Sequence, residues 1–217
     1  MTKSTTAARI ASSDDPVLEI AGRLFRKNGF DATTVRQIAD AAGLLPGSLH
    51  YRYSTKEEML LALVERGIAH ATEAVRLAVA DATDPFERMR LALRAHLRLL
   101  IRDDVAIYVT LYEGRSLSGD SRAHMVRLRD RYDALWDGIL HAAAGTGRLR
   151  RDIDLSLVRL LLLGAANWTA QWFSPSGSYS CDEVADAYAD LLWRGLAQPG
   201  DRPVLELTPR RRRGKSV

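Results

Sequence analysis

The chain has 217 residues, 47% hydrophobic and 27% charged, which suits a globular protein with one large core or two joined ones and excludes a disordered polyelectrolyte. Its formal charge of +4 sits at the end: residues 1–60 carry +1, 61–197 carry −1 and 198–217 carry +4, so a pI near 9.4 is no argument by itself for a nucleic-acid partner. Cys181 is the only cysteine, which excludes an intrachain disulfide, a CxxC redox pair and a cysteine-based zinc site and fits a reducing cytoplasm.

Residues 1–13 read as a flexible polar arm with no apolar run long enough for a signal peptide. Asp14 or Asp15 followed by Pro16 predicts a helix start, with Val17, Ile20, Ala21, Leu24 and Phe25 facing inward and Gly29 closing the helix. Thr34 and Gln37 have the spacing of a capping box, so a helix starts at Val35, with Ile38, Ala39 and Ala42 on its apolar stripe. Gly43 ends it in the left-handed conformation, and Leu44 closes the cap. Pro46 suits the first position of a second short helix, in which Leu49 and Tyr53 form an i, i+4 pair facing the first. Gly47, Ser48, His50, Tyr51 and Arg52 then point elsewhere. Two short helices on a tight glycine turn match a helix-turn-helix, whose second helix enters the DNA major groove, and also match any αα-corner of a helical core.

The next capping box is read at Ser54 and Glu57, opening a long helix to about Val79. Lys56 in its first turn opposes the helix dipole, which hints at a phosphate contact; a solvated lysine fits the same position. Thr33 and Thr34, beside free N–H groups, are expected to hold phosphate as well. Further helices are predicted at about 85–101, 103–114, 120–144, 155–173 and 181–197, separated by LSGDS, GTGRLRRD and SPSGSYS. No strand alternation or repeat appears, so the expected fold is all-α. The segment 155–173 is nearly long enough to cross a membrane, but Arg159, Asn167 and Gln171 interrupt it, so a buried helix is expected and no membrane partner.

The flanks separate the two readings of residues 34–53. GF-x-A-TT, IA-x-x-AG, G-[ST]-L-x-x-x-[FY] and S-x-KEE, over roughly Pro16 to Glu65, resemble the DNA-binding domain of the TetR (tetracycline-repressor-like) family of transcriptional regulators. Leu45 stands where a serine usually caps the recognition helix, at a cost of about 1 kcal/mol, and His50 replaces a common tyrosine. The resemblance implies a three-helix DNA-binding domain at 14–60 and a ligand-binding and dimerisation domain at 61–197; residues 198–217 read from their charge as a basic disordered tail. It implies a homodimer on a palindromic double-stranded operator. The DNA-contacting set is read as Thr33, Thr34, Arg36, Gly47, Ser48, His50, Tyr51, Tyr53 and Lys56.

Helices 155–173 and 181–197 carry more apolar surface than one core can cover. Leu161, Ala165, Leu191 and Leu192 are assigned to the dimer interface, as the family's four-helix bundle implies. Asn167 and Gln171, i and i+4 on an apolar helix, need a partner amide, water or ligand. With Tyr108, Tyr112, Trp136, Trp168 and Trp172 they are read as lining a ligand pocket. His96 and His141 read as satisfied core or pocket groups. The segments from DPFERMRLAL through W-x-x-x-WF-x-P-x-G resemble the branch of the family that controls fatty-acid and steroid-ring catabolism and is released from DNA by coenzyme A thioesters. That resemblance implies a small-molecule inducer of this class; a drug or aromatic inducer of an efflux repressor is the alternative. Scattered histidines, no HExxH, no phosphate loop and no nucleophile elbow predict neither enzyme, metal site nor cofactor.

Overall fold

The computed structural model describes residues 15–102 and 104–198, and the regular structure there is helical apart from one antiparallel bridge between Leu149 and Ala197. The helices are α1 (Pro16–Asn28), α2 (Val35–Ala41), α3 (Pro46–Arg52), α4 (Lys56–Ala78), α5 (Pro85–Leu100), α6 (Val105–Tyr112), α7 (Gly119–Gly145), α8 (Leu155–Trp172) and α9 (Cys181–Leu196), with a 3₁₀ turn at Gly114–Ser116. The arm 1–13, the alternative cap Asp14 and all of the tail except Gln198 lie outside the described residues.

Local signals set most boundaries. Asp15 caps α1 through its side chain, which accepts from the Val17 N–H at 2.9 Å, and Gly29 leaves the helix at φ 81°. Thr34 and Gln37 form the capping box of α2. Gly43 takes φ 65°, and the Leu44 N–H reaches back to the Ala39 carbonyl at 2.9 Å, the long bond of a Schellman cap. The cap of α4 falls one residue later than the spacing predicts. Thr55 is the N-cap and takes the Glu58 N–H. Glu58 receives the Ser54 N–H, which frees Glu57 to accept from the Ser118 backbone and hydroxyl. A capping box therefore fails here because its acidic partner serves a distant segment.

Two apolar cores meet along α4. One packs α1, α2 and α3 against the first half of α4 and against Val105, Ala106 and Val109 of α6; the other joins α5, α7, α8 and α9 around Trp136 and Trp193, with Val75 at the far end of α4. The division read at 60/61 thus falls within a continuous helix. Helix α6 is the wedge between them. A Cβ on Gly22 of α1 would lie 2.1 Å from Val105, and one on Gly67 of α4 would lie 2.6 Å from the Ala106 carbonyl oxygen. Only hydrogen fits at either crossing.

Helix α9 is fastened to α5 by an ion-pair ladder in which Arg90 and Arg94 share Asp186, and Arg98 pairs with Asp182. No described helix is long and apolar enough to cross a membrane.

Candidate DNA-binding face and ligand cavities

Leu49 of α3 is fully buried against the first core, and the other side of the helix is open. Gly47, Ser48, His50 and Tyr51 are exposed, Tyr51 at 91%, and so are Thr34 and Arg36 on the adjacent edge of α2. Arg36 lies 3.9 Å from Asp40, a loose pair in water that a phosphate can displace. Leu45 precedes α3 without a side-chain cap bond, as its aliphatic side chain dictates, and is 76% exposed. A small, hydroxyl and aromatic surface of this kind suits base edges and phosphates together. Tyr51→Ala is expected to weaken operator binding about tenfold or more at unchanged thermal stability, since the ring has almost no protein contact to lose; equal gel-shift affinity of mutant and wild type would remove Tyr51 from the interface.

Three residues read from the sequence as DNA contacts are occupied inside the fold. Thr33 is fully buried, and its hydroxyl donates to the Gly29 carbonyl at 2.8 Å. Tyr53 is 2% exposed, and its hydroxyl reaches Asp15 at 2.5 Å; burial, the Asp15 hydrogen bond and the Asp15 charge all raise its pKa. Asp15 also accepts from Arg52 at 2.8 Å, so one carboxylate ties the start of α1 to the end of the recognition helix. The Lys56 ammonium donates to the carbonyls of Phe30 at 2.6 Å, Thr33 at 2.8 Å and Asp31 at 3.3 Å, and lies 4.2 Å from the Phe30 ring centre. Its three protons are used on the loop before α2. The cation near the start of α4 answers carbonyls of a turn, partners that the dipole argument did not include.

Two cavities border the α5–α6 junction. The inner one, about 470 Å³, lies between α4, α5, α6, α7 and α8 and is walled mainly by apolar groups such as Ile68, Leu99, Ile107 and Leu163, with His96, Tyr132 and Asn167 among them. The outer one, about 380 Å³, lies between α1, α6 and the end of α8; Tyr108, Tyr112, Gln171, Arg26, Arg102 and Asp104 are among its lining residues. Leu100, Ile107 and Leu111 belong to both walls. The inner rim holds Arg159, which is paired to Asp133 and Asp137.

The two amides of α8 are separated. Gln171 donates to the Tyr112 hydroxyl at 2.6 Å in the outer cavity, whereas Asn167 accepts from His96 at 3.1 Å in the inner one. Three tryptophans read as pocket residues lie elsewhere. Trp136 is fully buried in the second core, while Trp168 and Trp172, 64% and 48% exposed, line neither cavity. A helix of 3.6 residues per turn with three neighbours has more than one apolar side, and residue type alone does not say which side faces which.

His96 is 5% exposed, and burial pushes its pKa down to about 4. It is the core or pocket group that its place on an apolar helix face suggested, whereas Tyr132, Arg26, Arg102 and Thr110 are the lining residues that sequence reading missed. His141, grouped with it from the sequence, is exposed and bonded to the Asp137 carbonyl of its own helix.

Apart from Leu77 of α4 and Val126 of α7, the remaining large exposed apolar side chains of the helices lie on α8 and α9. Leu157, Leu161, Trp168, Trp172 and Leu191 are all about half exposed or more, and Ala165 and Gly164 are open beside them. Leu192 is partly buried on the protomer's own core, whereas Leu191 is exposed. Among the described residues no three His, Cys, Asp or Glu side chains converge as metal ligands.

The model of the tetR family of bacterial regulatory proteins matches residues 17–63, and that of the tetracyclin repressor-like C-terminal domain matches residues 82–196. The HTH-type transcriptional repressor KstR2 of Rhodococcus jostii strain RHA1 is 32% identical over 184 residues, which cover 84% of this chain and 90% of that protein. The regulator PfmR of Thermus thermophilus superimposes with a TM-score of 0.74 at 33% identity, over 85% of this chain and all of that one. AibR in complex with isovaleryl coenzyme A and operator DNA gives a TM-score of 0.74 at 28% identity, over 82% of this chain and 96% of that one. With both halves matched and the recognition helix exposed, the chain belongs to the TetR family of transcriptional regulators, proteins that bind operator DNA as dimers and are not enzymes.

Proposed function

We propose that this protein is a cytoplasmic repressor of lipid or steroid catabolism genes, released from its operator when a coenzyme A thioester occupies the two cavities. The observation that carries the reading is their arrangement: an apolar chamber shares a wall with a more polar one that Arg26 and Arg102 help to line. An apolar acyl group suits the first, and the second suits a polar arm that leads toward phosphates. AibR, of similar fold, has been crystallised in complex with isovaleryl coenzyme A and operator DNA, which supports an acyl coenzyme A as the class of ligand.

Helix α6 supplies a short route from ligand to DNA. Ile107, Tyr108 and Leu111 line the cavities, and the same helix packs on α1 at Gly22 and on α4 at Gly67. A ligand that moves α6 therefore presses on two elements of the DNA-binding half, and each tilt alters the spacing of two recognition helices that must match successive major grooves. Release requires the ligand to bind the DNA-incompetent spacing more tightly; a tenfold loss of operator affinity corresponds to about 1.4 kcal/mol of coupling.

A panel of coenzyme A thioesters, the matching free acids and cationic drugs, read by calorimetry and operator release, tests the proposal. At least one thioester is expected to release DNA tenfold or more while its free acid does not. Release by drugs with every thioester inert would replace this reading with that of an efflux repressor.

A further inference from the structure

The inner cavity contains a relay of three polar groups from three helices: Tyr132 of α7, His96 of α5 and Asn167 of α8. The Tyr132 hydroxyl lies 2.7 Å from His96 Nδ1, and Asn167 Oδ1 lies 3.1 Å from His96 Nε2. Burial keeps the imidazole neutral, so it has one N–H and one lone pair. An amide oxygen only accepts, so Nε2 carries the hydrogen and Nδ1 takes the proton of Tyr132. The polarity of the whole relay follows: tyrosine donates to histidine, and histidine donates to asparagine.

That direction leaves the Asn167 amide nitrogen, with two donor hydrogens, on the cavity side. No acceptor among the described residues takes them. Arg129 also lines the chamber, and the two further donors there are committed. The Thr110 hydroxyl gives its proton to the Ala106 carbonyl at 2.7 Å, and Arg159 is held by Asp133 and Asp137. An amide held from behind in one orientation, in a chamber walled mainly by apolar groups, is a positioned donor, and the group that satisfies it best is a carbonyl oxygen on an otherwise apolar body.

We infer that Asn167 is the carbonyl-recognising residue of the inner cavity, with His96 and Tyr132 as positioning residues that fix which end of its amide faces the ligand. The inference rests on the cavity being the inducer site, and it narrows the inducer to an apolar body carrying a carbonyl at that depth. The carbonyl has two possible sources, the thioester itself or a ketone on the acyl group.

Three coenzyme A probes of equal chain length separate the sources: octanoyl coenzyme A, the thioether S-octyl coenzyme A and 7-oxo-octanoyl coenzyme A. Binding to the wild-type protein, Asn167→Leu and Tyr132→Phe is measured by calorimetry. If the thioester is read, octanoyl binds about tenfold tighter than S-octyl; if a chain ketone is read, 7-oxo-octanoyl binds about tenfold tighter than octanoyl. The preference is expected to vanish in Asn167→Leu and to shrink in Tyr132→Phe, whereas a merely structural role would weaken all three probes alike. Should Asn167→Leu lose its helical signal, Tyr132→Phe carries the test. No preference in either arm of the wild type, or one that survives both substitutions, overturns the inference and leaves the thioester reading standing. If no coenzyme A probe binds, camphor and its parent hydrocarbon bornane replace them. A camphor preference that depends on Asn167 then supports the inference while the thioester reading falls, and failure of every carbonyl-bearing probe to bind overturns both.

Discussion

Leu161→Asp is expected to convert the protein to a folded monomer and to reduce operator affinity at least a hundredfold. Leu161 is 63% exposed in the protomer and lies on the open stripe of α8 with Leu157, Trp168 and Trp172. It contributes nothing to either core, so the monomer keeps its packing. In a two-fold interface the substitution enters twice, each time placing a carboxylate in an apolar contact with no cation among the neighbouring residues of the stripe, at several kcal/mol per charge. Loss of the dimer removes the second recognition helix, and with it the gain of 10² or more that linked half-site binding supplies. Sedimentation velocity and a gel shift on a palindromic operator measure the two effects. A dimer of unchanged operator affinity would show that this face of α8 is not the interface.

Gly67→Ala is expected to lower Tm by about 3–8 °C, although alanine is the better helix former by about 1 kcal/mol. The new methyl group would meet the Thr110 hydroxyl at 2.3 Å and the Ala106 carbonyl oxygen at 2.6 Å. Thr110 can turn away, but the backbone of α6 cannot without leaving α1, where Val105 already sits over Gly22. Overpacking of this kind costs about 1–3 kcal/mol and outweighs the helix propensity. Because α6 walls both cavities, the same strain is expected to shift ligand affinity as well. Gly138→Ala is the control: it lies in the middle of α7 with nothing within 4 Å of an added Cβ, so it should leave Tm unchanged or raise it. A melting curve for Gly67→Ala that matches that of Gly138→Ala would show that α4 and α6 can separate freely.

What was legible in the sequence is what depends on residues three or four apart. The Thr34–Gln37 box, the left-handed Gly43 and Pro46 at the start of the recognition helix are satisfied within a turn or two of chain, so spacing specified them and with them an all-α fold, while the flanking motifs were needed to tell a helix-turn-helix from an αα-corner. The exposure of Ser48, His50 and Tyr51 followed from the burial of Leu49 on the opposite side of a single-turn pair. The tertiary structure decided wherever one side chain had two physically reasonable partners. Lys56 donates to carbonyls 23 and 26 residues away in the chain, and the Tyr53 hydroxyl is tied to Asp15. The amides of Asn167 and Gln171, adjacent on one helix face, went to different cavities because His96 approaches the first from α5 and Tyr112 the second from α6. The tryptophans show the same limit: Trp136 is core, and Trp168 and Trp172 are outer surface, since an aromatic ring satisfies a core, a cavity wall and an interface equally well by chemistry. Only the packing of helices far apart in the chain determines which of these each ring meets.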